Sequence, residues 1–339
     1  MLLGQLADRY GRVARDLRVS LTDRCNLRCS YCMPAEGLPW LPTEQTLTDD
    51  EVVRLIRVAV KHGGITRIRF TGGEPLLRRG LERIIAGAAS LTGAAGRPEL
   101  ALTTNGLGLD RRIDGLARAG LDRVNVSLDS LDRARYAQLA RRDRLDDVLA
   151  GILAADQAGL RPVKINSVIL RGTNEQDAVP LARFCLERGY ELRFIEQMPL
   201  GPAGEWRRDD MVTADEVLAM LGGAFTLSPV DGPRGPAPAA LWQVAPDTTQ
   251  PGGRLGVIAS VTKPFCGGCD RTRLTADGQI RSCLFSRQET DLRAVLRGGG
   301  SDEDLAQAWR LAQWGKPPAH GIDEPGFHQP GRTMSAIGG

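Results

Sequence analysis

The sequence predicts an α/β fold built on a parallel β-sheet, with a smaller C-terminal region beside it. Between residues 17 and 196, six short apolar runs alternate with longer segments of helical periodicity. Six strands that alternate with helices form a parallel sheet with right-handed crossovers. Apolar residues make up 42% of the chain and aromatic residues only 5%, which favours a layered α/β protein over a sandwich. The pattern fits both an open, doubly wound sheet and a complete or partial β/α barrel.

Local signals set the bounds of the individual elements. The first strand covers Leu17 to Leu21, and Thr48 with Glu51 forms a capping box that opens a helix ending at 63–64. Further strands are predicted at 65–70, 99–103, 123–128, 162–170 and 191–196, and further helices at 80–90, 111–119, 131–158 and 174–188. Ligands bind at the carboxyl ends of such strands. The residues found there are Cys25, Gly73, Thr103 and Ser127.

The character of the chain changes after residue 225. Six prolines fall between residues 228 and 253, so we expect a loop-rich or short-stranded segment there. A helix is predicted at 302–313. We therefore divide the chain into a larger domain, 1–225, and a C-terminal region, 226–339, which carries a second group of cysteines.

Charge and composition exclude several classes of protein. Lys and Arg number 44 against 41 Asp and Glu, and a formal charge of +3 is too small to indicate a nucleic-acid binder. The N-terminus lacks a signal-peptide pattern, and no stretch approaches the roughly 20 apolar residues of a membrane span. We expect a cytoplasmic protein. Six of the seven cysteines fall in two tight groups, which in a reducing compartment favours metal binding over disulfides.

The first cysteine group consists of Cys25, Cys29 and Cys32, on a loop that follows a strand. Thiolates suit zinc and iron–sulfur clusters, but a structural zinc site normally has four protein ligands. Three thiolates on a cubane cluster leave one iron open, and S-adenosylmethionine can chelate that iron. A zinc knuckle with a distant fourth ligand is the alternative. The neighbouring Tyr31 and the segment 71–75, Thr-Gly-Gly-Glu-Pro, favour the cluster.

The second group, Cys266, Cys269 and Cys283, again offers three thiols. A small zinc site with a fourth ligand is one interpretation, although His320 and His328 lack metal-ligand spacing relative to one another. The alternative is a second open cluster. Arginines at 271 and 273 follow Cys269, and guanidinium groups bind phosphate in bidentate fashion. This arrangement favours a phosphorylated substrate that also contacts iron.

With these motifs, roughly the first two-thirds of the chain resembles the radical S-adenosylmethionine superfamily. The resemblance implies a partial (β/α)6 barrel, with the second cluster in the smaller C-terminal region. It also implies S-adenosylmethionine and a [4Fe–4S] cluster on the first cysteine group. The implied contacts to S-adenosylmethionine are Tyr31, Gly73, Ser127 and Met198.

The whole chain is similar to the molybdenum cofactor biosynthesis protein A family, the GTP 3′,8-cyclases. The shared motifs lie at 23–29, 70–75, 103–106, 125–130, 193–196, 265–273 and 337–339. The chain departs from the family at 229–253 and at 141–143, where a glycine-containing turn is common.

The family resemblance implies a reaction. The radical made at the first cluster removes the 3′ hydrogen of GTP, and the ribose radical attacks C8 of guanine. The open iron of a second [4Fe–4S] cluster binds the guanine. The C-terminal pair Gly338 and Gly339 reaches back into the active site as the catalytic tail. The implied GTP contacts are Arg18, Arg69, Thr103, Lys164, Arg271, Thr272 and Arg273.

The same resemblance implies partners. An electron donor such as flavodoxin or ferredoxin supplies reducing equivalents, and the product passes to cyclic pyranopterin monophosphate synthase. No nucleic acid or membrane is expected, and a homodimer is compatible with the sequence. Two rival functions remain open at this point. One is a peptide-modifying maturase with an auxiliary cluster, and the other is a zinc-binding module without turnover.

Overall fold

The computed structural model describes residues 4–202 and 204–338. Within them twelve strands share one sheet, in the spatial order β12-β11-β10-β1-β2-β3-β4-β5-β6-β9-β8-β7. The strands are β1 Asp16–Ser20, β2 Arg67–Thr71, β3 Glu99–Thr104, β4 Arg123–Ser127, β5 Lys164–Val168, β6 Glu191–Ile195, β7 Leu227–Pro229, β8 Ala240–Val244, β9 Gly253–Ile258, β10 Arg271–Leu274, β11 Gln279–Arg281 and β12 Thr290–Asp291.

Helices follow most of the parallel strands. They are α1 Asp49–Gly63, α2 Leu81–Ala89, α3 Leu109–Arg118, α4 Arg133–Ala140, α5 Leu145–Gln157, α6 Ala178–Arg188, α7 Ala214–Gly222, α8 Leu292–Arg297, α9 Asp302–Trp314 and α10 Met334–Ile337. The predicted capping box at Thr48 and Glu51 is confirmed. Among the described residues, no helix has the length and apolar character that crossing a bilayer would require.

The predicted α/β barrel fold is confirmed, and two further strands widen it. β1 to β6 pair in chain order, all parallel. β10 joins β1, and β9 joins β6, again in parallel. The sequence did not predict these two additions. β9 and β10 do not pair with each other, so within the described residues the curved sheet stays open between them.

The segment between β9 and β10 crosses this open side. Because both strands run parallel to β1, the chain must return from the carboxyl edge of the sheet to its amino edge between residues 259 and 270. Cys266 and Cys269 lie on this return, and Arg271 is paired with Asp16 at the start of β1. Cys25 follows the opposite end of β1. The two cysteine groups therefore lie at opposite ends of the barrel strands.

The strands alternate between an apolar outer face and a polar inner face. Leu17 and Val19 of β1, with Phe70 of β2, are fully buried in the core that the strands share with the helices. Arg18 and Arg69 occupy the intervening positions and line an internal cavity. The period of two therefore produces a polar lumen inside an apolar shell.

The prediction of one helix over 131–158 is wrong, because two helices, α4 and α5, occupy that range. Arg141 ends α4 in a left-handed conformation, with φ 53°. The last carbonyls of α4, at Leu139 and Ala140, accept backbone N–H groups from Ser30 and Arg28. Arg141 also donates to the Met33 carbonyl at 3.0 Å. The helix stops there because its end supports the first cysteine loop.

Candidate functional site

The loop that carries the first cysteine group is fixed to the ends of β2 and β3. The Cys25 thiol accepts the backbone N–H of Leu27 at 3.4 Å and the Nδ2 group of Asn105 at 3.8 Å. Asn105 also donates to Asn26 Oδ1 at 2.8 Å. The Thr-Thr-Asn-Gly motif after β3 therefore orients the thiol of Cys25.

The glycines after β2 allow the cysteine loop to approach closely. The backbone N–H of Gly73 donates to the Thr22 carbonyl at 2.7 Å. A Cβ atom at Gly73 would lie 2.5 Å from the Asp23 carbonyl oxygen, a distance that real side chains do not reach. The Gly-Gly sequence is thus required where two backbone segments meet beside the thiols.

Glu74 has a structural role in this motif. Its carboxylate is fully buried and accepts the backbone N–H groups of Leu76 at 2.9 Å and Asn105 at 2.7 Å, and the Thr104 hydroxyl at 2.7 Å. Burial raises the pKa of Glu74 to about 7, although these hydrogen bonds favour the ionised form. The carboxylate joins the end of β2 to the end of β3 beneath the cysteine loop.

We expect Glu74→Ala to lower the free energy of unfolding by about 3 kcal/mol or more, because three buried donors would lose their acceptor. Chemical denaturation of the anaerobically purified protein measures this. Glu44→Ala, at an exposed site, is the control and should change stability by less than about 0.5 kcal/mol. Equal stability of both variants would contradict the structural role of Glu74.

The donor set of the first group fits an iron–sulfur cluster. Cys25, Cys29 and Cys32 are free thiols, and burial raises the pKa of each, of Cys32 to about 12. For Cys29 and Cys32, the charge of neighbouring thiolates raises the pKa further. Thiolates in such surroundings are stabilised by binding a metal, and three of them match the open cluster that the sequence predicts.

Three of the four predicted S-adenosylmethionine contacts, Tyr31, Ser127 and Met198, line the central cavity. The hydroxyl of Tyr31 donates to Asp129 Oδ2 at 2.8 Å, and the other carboxylate oxygen of Asp129 accepts the backbone N–H of Val168 at 2.8 Å. Asp129 belongs to the shared motif at 125–130, but the sequence analysis did not predict that it would hold Tyr31. Its position just after β4, at the carboxyl edge of the sheet, could have indicated a place in the site.

The second cysteine group lines the far end of the same cavity. All three thiols, Cys266, Cys269 and Cys283, contribute to its wall. Burial alone would raise the pKa of the Cys269 thiol, but Lys316 and Arg271 outweigh burial and lower it. The Arg271 Nη1 group and the Lys316 Nζ group each lie 3.4 Å from this sulfur. No local pattern in the sequence identifies Lys316, because it lies 47 residues after Cys269.

The central cavity is strongly cationic. Its wall contains one carboxylate, Asp129, and five arginines: Arg18, Arg69, Arg193, Arg271 and Arg273. The inward positions of the strands carry these side chains inside the lumen.

Arg69 is the least compensated of these cations. Its Nε atom is shielded from solvent and has no hydrogen-bond partner among residues 4–202 and 204–338. Burial and the nearby Arg18 hold the pKa of Arg69 well below its usual range. Asp16 responds in the opposite direction: burial alone would raise the pKa of this carboxyl, but the surrounding arginines lower it to about 2. The lumen therefore has an excess of positive charge that an anion would offset.

Of the other predicted GTP contacts, Thr103 lines the cavity, but Lys164 and Thr272 have other partners. Lys164 instead contacts Glu191 at 3.2 Å, and burial together with Arg193 lowers the pKa of this lysine to about 8. The Thr272 hydroxyl accepts the indole N–H of Trp309 at 3.0 Å, on the outer face of β10. Arg193 belongs to the shared motif at 193–196, but the sequence analysis did not assign this residue to the site.

The C-terminal tail enters the lumen. The Gly338 carbonyl accepts a hydrogen bond from Arg273, and Gly338 has φ 86°. A Cβ atom at Gly338 would lie 2.8 Å from Thr71 Cγ2 and 3.1 Å from Ser20 Cβ. The backbone of Ser335, three residues earlier, hydrogen bonds to the Cys32 thiol. Gly339, the second predicted catalytic glycine, lies outside the described residues.

The barrel and its cysteine loop define a radical S-adenosylmethionine enzyme, and comparison with known proteins agrees. Residues 19–185 match the radical SAM superfamily, and residues 190–322 match the Molybdenum Cofactor Synthesis C family. The crystal structure of Streptococcus suis SuiB bound to S-adenosylmethionine has a similar fold, with a TM-score of 0.56 at 11% identity. That similarity covers 97% of this chain and 77% of SuiB.

Relatives that match nearly the whole chain show which family of radical S-adenosylmethionine enzymes it belongs to. A GTP 3′,8-cyclase of Corynebacterium glutamicum is 66% identical over 98% of this chain and 89% of that protein. A GTP 3′,8-cyclase of Mycolicibacterium smegmatis is 60% identical over 99% of this chain and 92% of that protein. The chain belongs to the GTP 3′,8-cyclase family.

Proposed function

We propose that this enzyme converts GTP to (8S)-3′,8-cyclo-7,8-dihydroguanosine 5′-triphosphate in molybdenum cofactor biosynthesis. One observation carries the proposal: a single cavity is lined by Tyr31, which precedes Cys32 of the first cysteine group, by five arginines and by all three cysteines of the second group. A radical source and a polyanionic substrate therefore share one enclosed space. The names of the full-length relatives support GTP as that substrate.

At the first end, Cys25, Cys29 and Cys32 hold a [4Fe–4S] cluster. When bound, that cluster supplies the electron that cleaves S-adenosylmethionine and so provides a carbon radical for hydrogen abstraction. The protein's part is to bind and orient. Tyr31, fixed by Asp129, lines the adjoining wall with Ser127 and Met198, where S-adenosylmethionine binds.

At the second end, Cys266, Cys269 and Cys283 would hold a second [4Fe–4S] cluster, which would supply a binding place for the guanine. The donor chemistry supports this assignment, since three thiols face the cavity and a lysine and an arginine contact one of them. With the base held there, the ribose lies toward the first end.

The arginines between the two ends bind the triphosphate. Arg69 and Arg18 lie on adjacent strands at paired positions, and Arg273 pairs with Arg18 on the other side. This row of guanidinium groups matches the spaced negative charges of a polyphosphate. Lys164 and the backbone at Thr272 complete the proposed set, with Thr103 and Arg271.

The Gly338–Gly339 tail completes the site from the carboxyl edge. The bond from Arg273 to the Gly338 carbonyl holds Gly338 beside the arginines of the lumen. We assign the tail a catalytic role next to the reacting ribose. The cavity wall and the tail together exclude water from the radical intermediate.

The proposed function implies two protein partners, an electron donor and an enzyme that uses the product. A one-electron donor such as flavodoxin or ferredoxin reduces the enzyme, and cyclic pyranopterin monophosphate synthase consumes the product. These partners place the enzyme in the cytoplasm. We retain a homodimer as a proposal.

The proposal is tested by incubating dithionite-reduced enzyme anaerobically with GTP and S-adenosylmethionine. We expect 5′-deoxyadenosine and a cyclised nucleotide in equal amounts, and no cyclised product from ATP. Formation of 5′-deoxyadenosine without a change in GTP would reject GTP as the substrate.

We expect Arg69→Ala to weaken GTP binding by about 10- to 100-fold, because a charge-assisted contact to phosphate contributes about 1.5–3 kcal/mol. Iron content and S-adenosylmethionine binding should not change. Equilibrium binding of GTP to the anaerobic holoenzyme measures the effect. Arg118→Ala, at an exposed position in the last turn of α3, is the matched control. Wild-type GTP affinity in Arg69→Ala would remove Arg69 from the site.

A further inference from the structure

Lys316, two residues after the end of α9, contacts the second cysteine group from outside the cavity wall. Its side chain is almost completely buried, with 2% of the residue exposed. The Nζ group donates to the Cys269 carbonyl at 3.0 Å, the Arg271 carbonyl at 2.8 Å and the Cys269 thiol at 3.4 Å. The ammonium group therefore has a fixed position against one proposed cluster ligand.

No carboxylate of the described part of the chain forms an ion pair with Lys316. A buried ammonium is costly unless an anion compensates its charge, and carbonyl groups supply only dipoles. The Cys269 thiolate is the anion within reach. A buried lysine usually pairs with a carboxylate. Because Lys316 instead pairs with the Cys269 thiolate, we assign both residues to the metal site.

The first cysteine group has the opposite electrostatic surroundings. The Asp129 carboxylate lies close enough to Cys29, and the Glu74 carboxylate close enough to Cys25, to disfavour the thiolates. The second group instead has Lys316 and Arg271 on Cys269, and Arg12 near Cys266. Each group therefore has a different balance of charge: carboxylates act on two thiols of the first group, where Arg28 is also beside Cys25, and cations lie beside Cys266 and Cys269.

We propose that Lys316 is a positioning residue that raises the reduction potential of the second cluster above that of the first. This inference rests on the proposed second cluster. A reduced cluster carries one more negative charge, so a cation hydrogen-bonded to a ligand sulfur stabilises the reduced form. With this difference, the first cluster, which cleaves S-adenosylmethionine, has the lower reduction potential. The second cluster, which binds the nucleotide, is easier to reduce.

The test is a redox titration of the holoenzyme followed by electron paramagnetic resonance. Lys316→Met removes the charge and the donor, whereas Lys316→Gln removes the charge and retains a donor. Cys25→Ala/Cys29→Ala/Cys32→Ala identifies the signal of the second cluster. Lys61→Met, on the exposed face of α1, is the control for loss of a distant charge.

We expect Lys316→Met to lower the equilibrium constant for reduction of the second cluster about tenfold, which equals about 59 mV for one electron. Lys316→Gln should have a smaller effect of the same sign. The first cluster in both variants, and both clusters in Lys61→Met, should keep their wild-type potentials.

Two results would overturn the proposal. One is an unchanged potential of the second cluster in both Lys316 variants at full iron content. The other is loss of that cluster's iron from both variants, which would make Lys316 a structural support only. Wild-type enzyme with about four irons instead of about eight would instead refute the second cluster of the proposed function.

Discussion

Replacing Gly338 with alanine will reduce cyclisation of GTP by about 100-fold, while iron content and S-adenosylmethionine binding are retained. The residue has φ 86°, and a Cβ atom there would meet Thr71 Cγ2 at 2.8 Å and Ser20 Cβ at 3.1 Å. The tail must therefore shift, and a displacement of about 1 Å at a reacting centre costs about 10²-fold. The first cysteine group has its own supports at Glu74 and Asn105, so S-adenosylmethionine cleavage should continue without coupling to cyclisation.

The measurement compares the yields of 5′-deoxyadenosine and cyclised nucleotide. Gly331→Ala, in the same C-terminal segment, is the matched control. A Cβ atom at Gly331 meets nothing within 4 Å, and the residue has no positive φ. Wild-type cyclisation by Gly338→Ala would show that the tail has no place at the reacting ribose.

The second large effect is expected for Cys283→Ala. The residue is one of the three thiols at the far end of the cavity, and without it the second cluster loses a ligand. We expect iron to fall from about eight to about four per chain and GTP cyclisation to be abolished. S-adenosylmethionine cleavage should persist in part, because the first cluster lies at the opposite end of the barrel.

Cys185→Ala is the control for Cys283→Ala. Cys185 is buried in α6, away from both cysteine groups, and this variant should keep its iron and its activity. Iron analysis, 5′-deoxyadenosine formation and nucleotide analysis of both variants provide the comparison. An equal loss of S-adenosylmethionine cleavage and cyclisation in Cys283→Ala would count against separate roles for the two clusters.

The strands of the barrel could be predicted from the sequence because their signals are local. Apolar alternation, capping residues and glycine ends identified β1 to β6 within a few residues. β10 could not be recognised, since Arg271–Leu274 has only four residues, two of which are arginines. It becomes a strand only by pairing with β1, more than 250 residues earlier in the chain. Such pairing has no local signature.

The break between α4 and α5 shows a related limit. Arg141 adopts a left-handed conformation that a sequence-based prediction assigns to glycine or asparagine. What stabilises it is its contact with the Met33 carbonyl and the docking of the first cysteine loop on the end of α4. A tertiary interaction has replaced the usual residue preference.

The cysteines were recognisable because metal ligands cluster in the sequence. The residues that set the electrostatic surroundings and hydrogen bonds of the site do not cluster in this way. Asp129 acts on Tyr31 across 98 positions, and Lys316 acts on Cys269 across 47.

GTP carrying deuterium at the ribose 3′ position, with unlabelled S-adenosylmethionine, tests most directly whether the radical formed at the first cysteine group reaches GTP in the central cavity. We expect mass spectrometry to find one deuterium in the 5′-deoxyadenosine formed during a single turnover. Unlabelled 5′-deoxyadenosine, formed together with cyclised nucleotide that retains the deuterium, would contradict it.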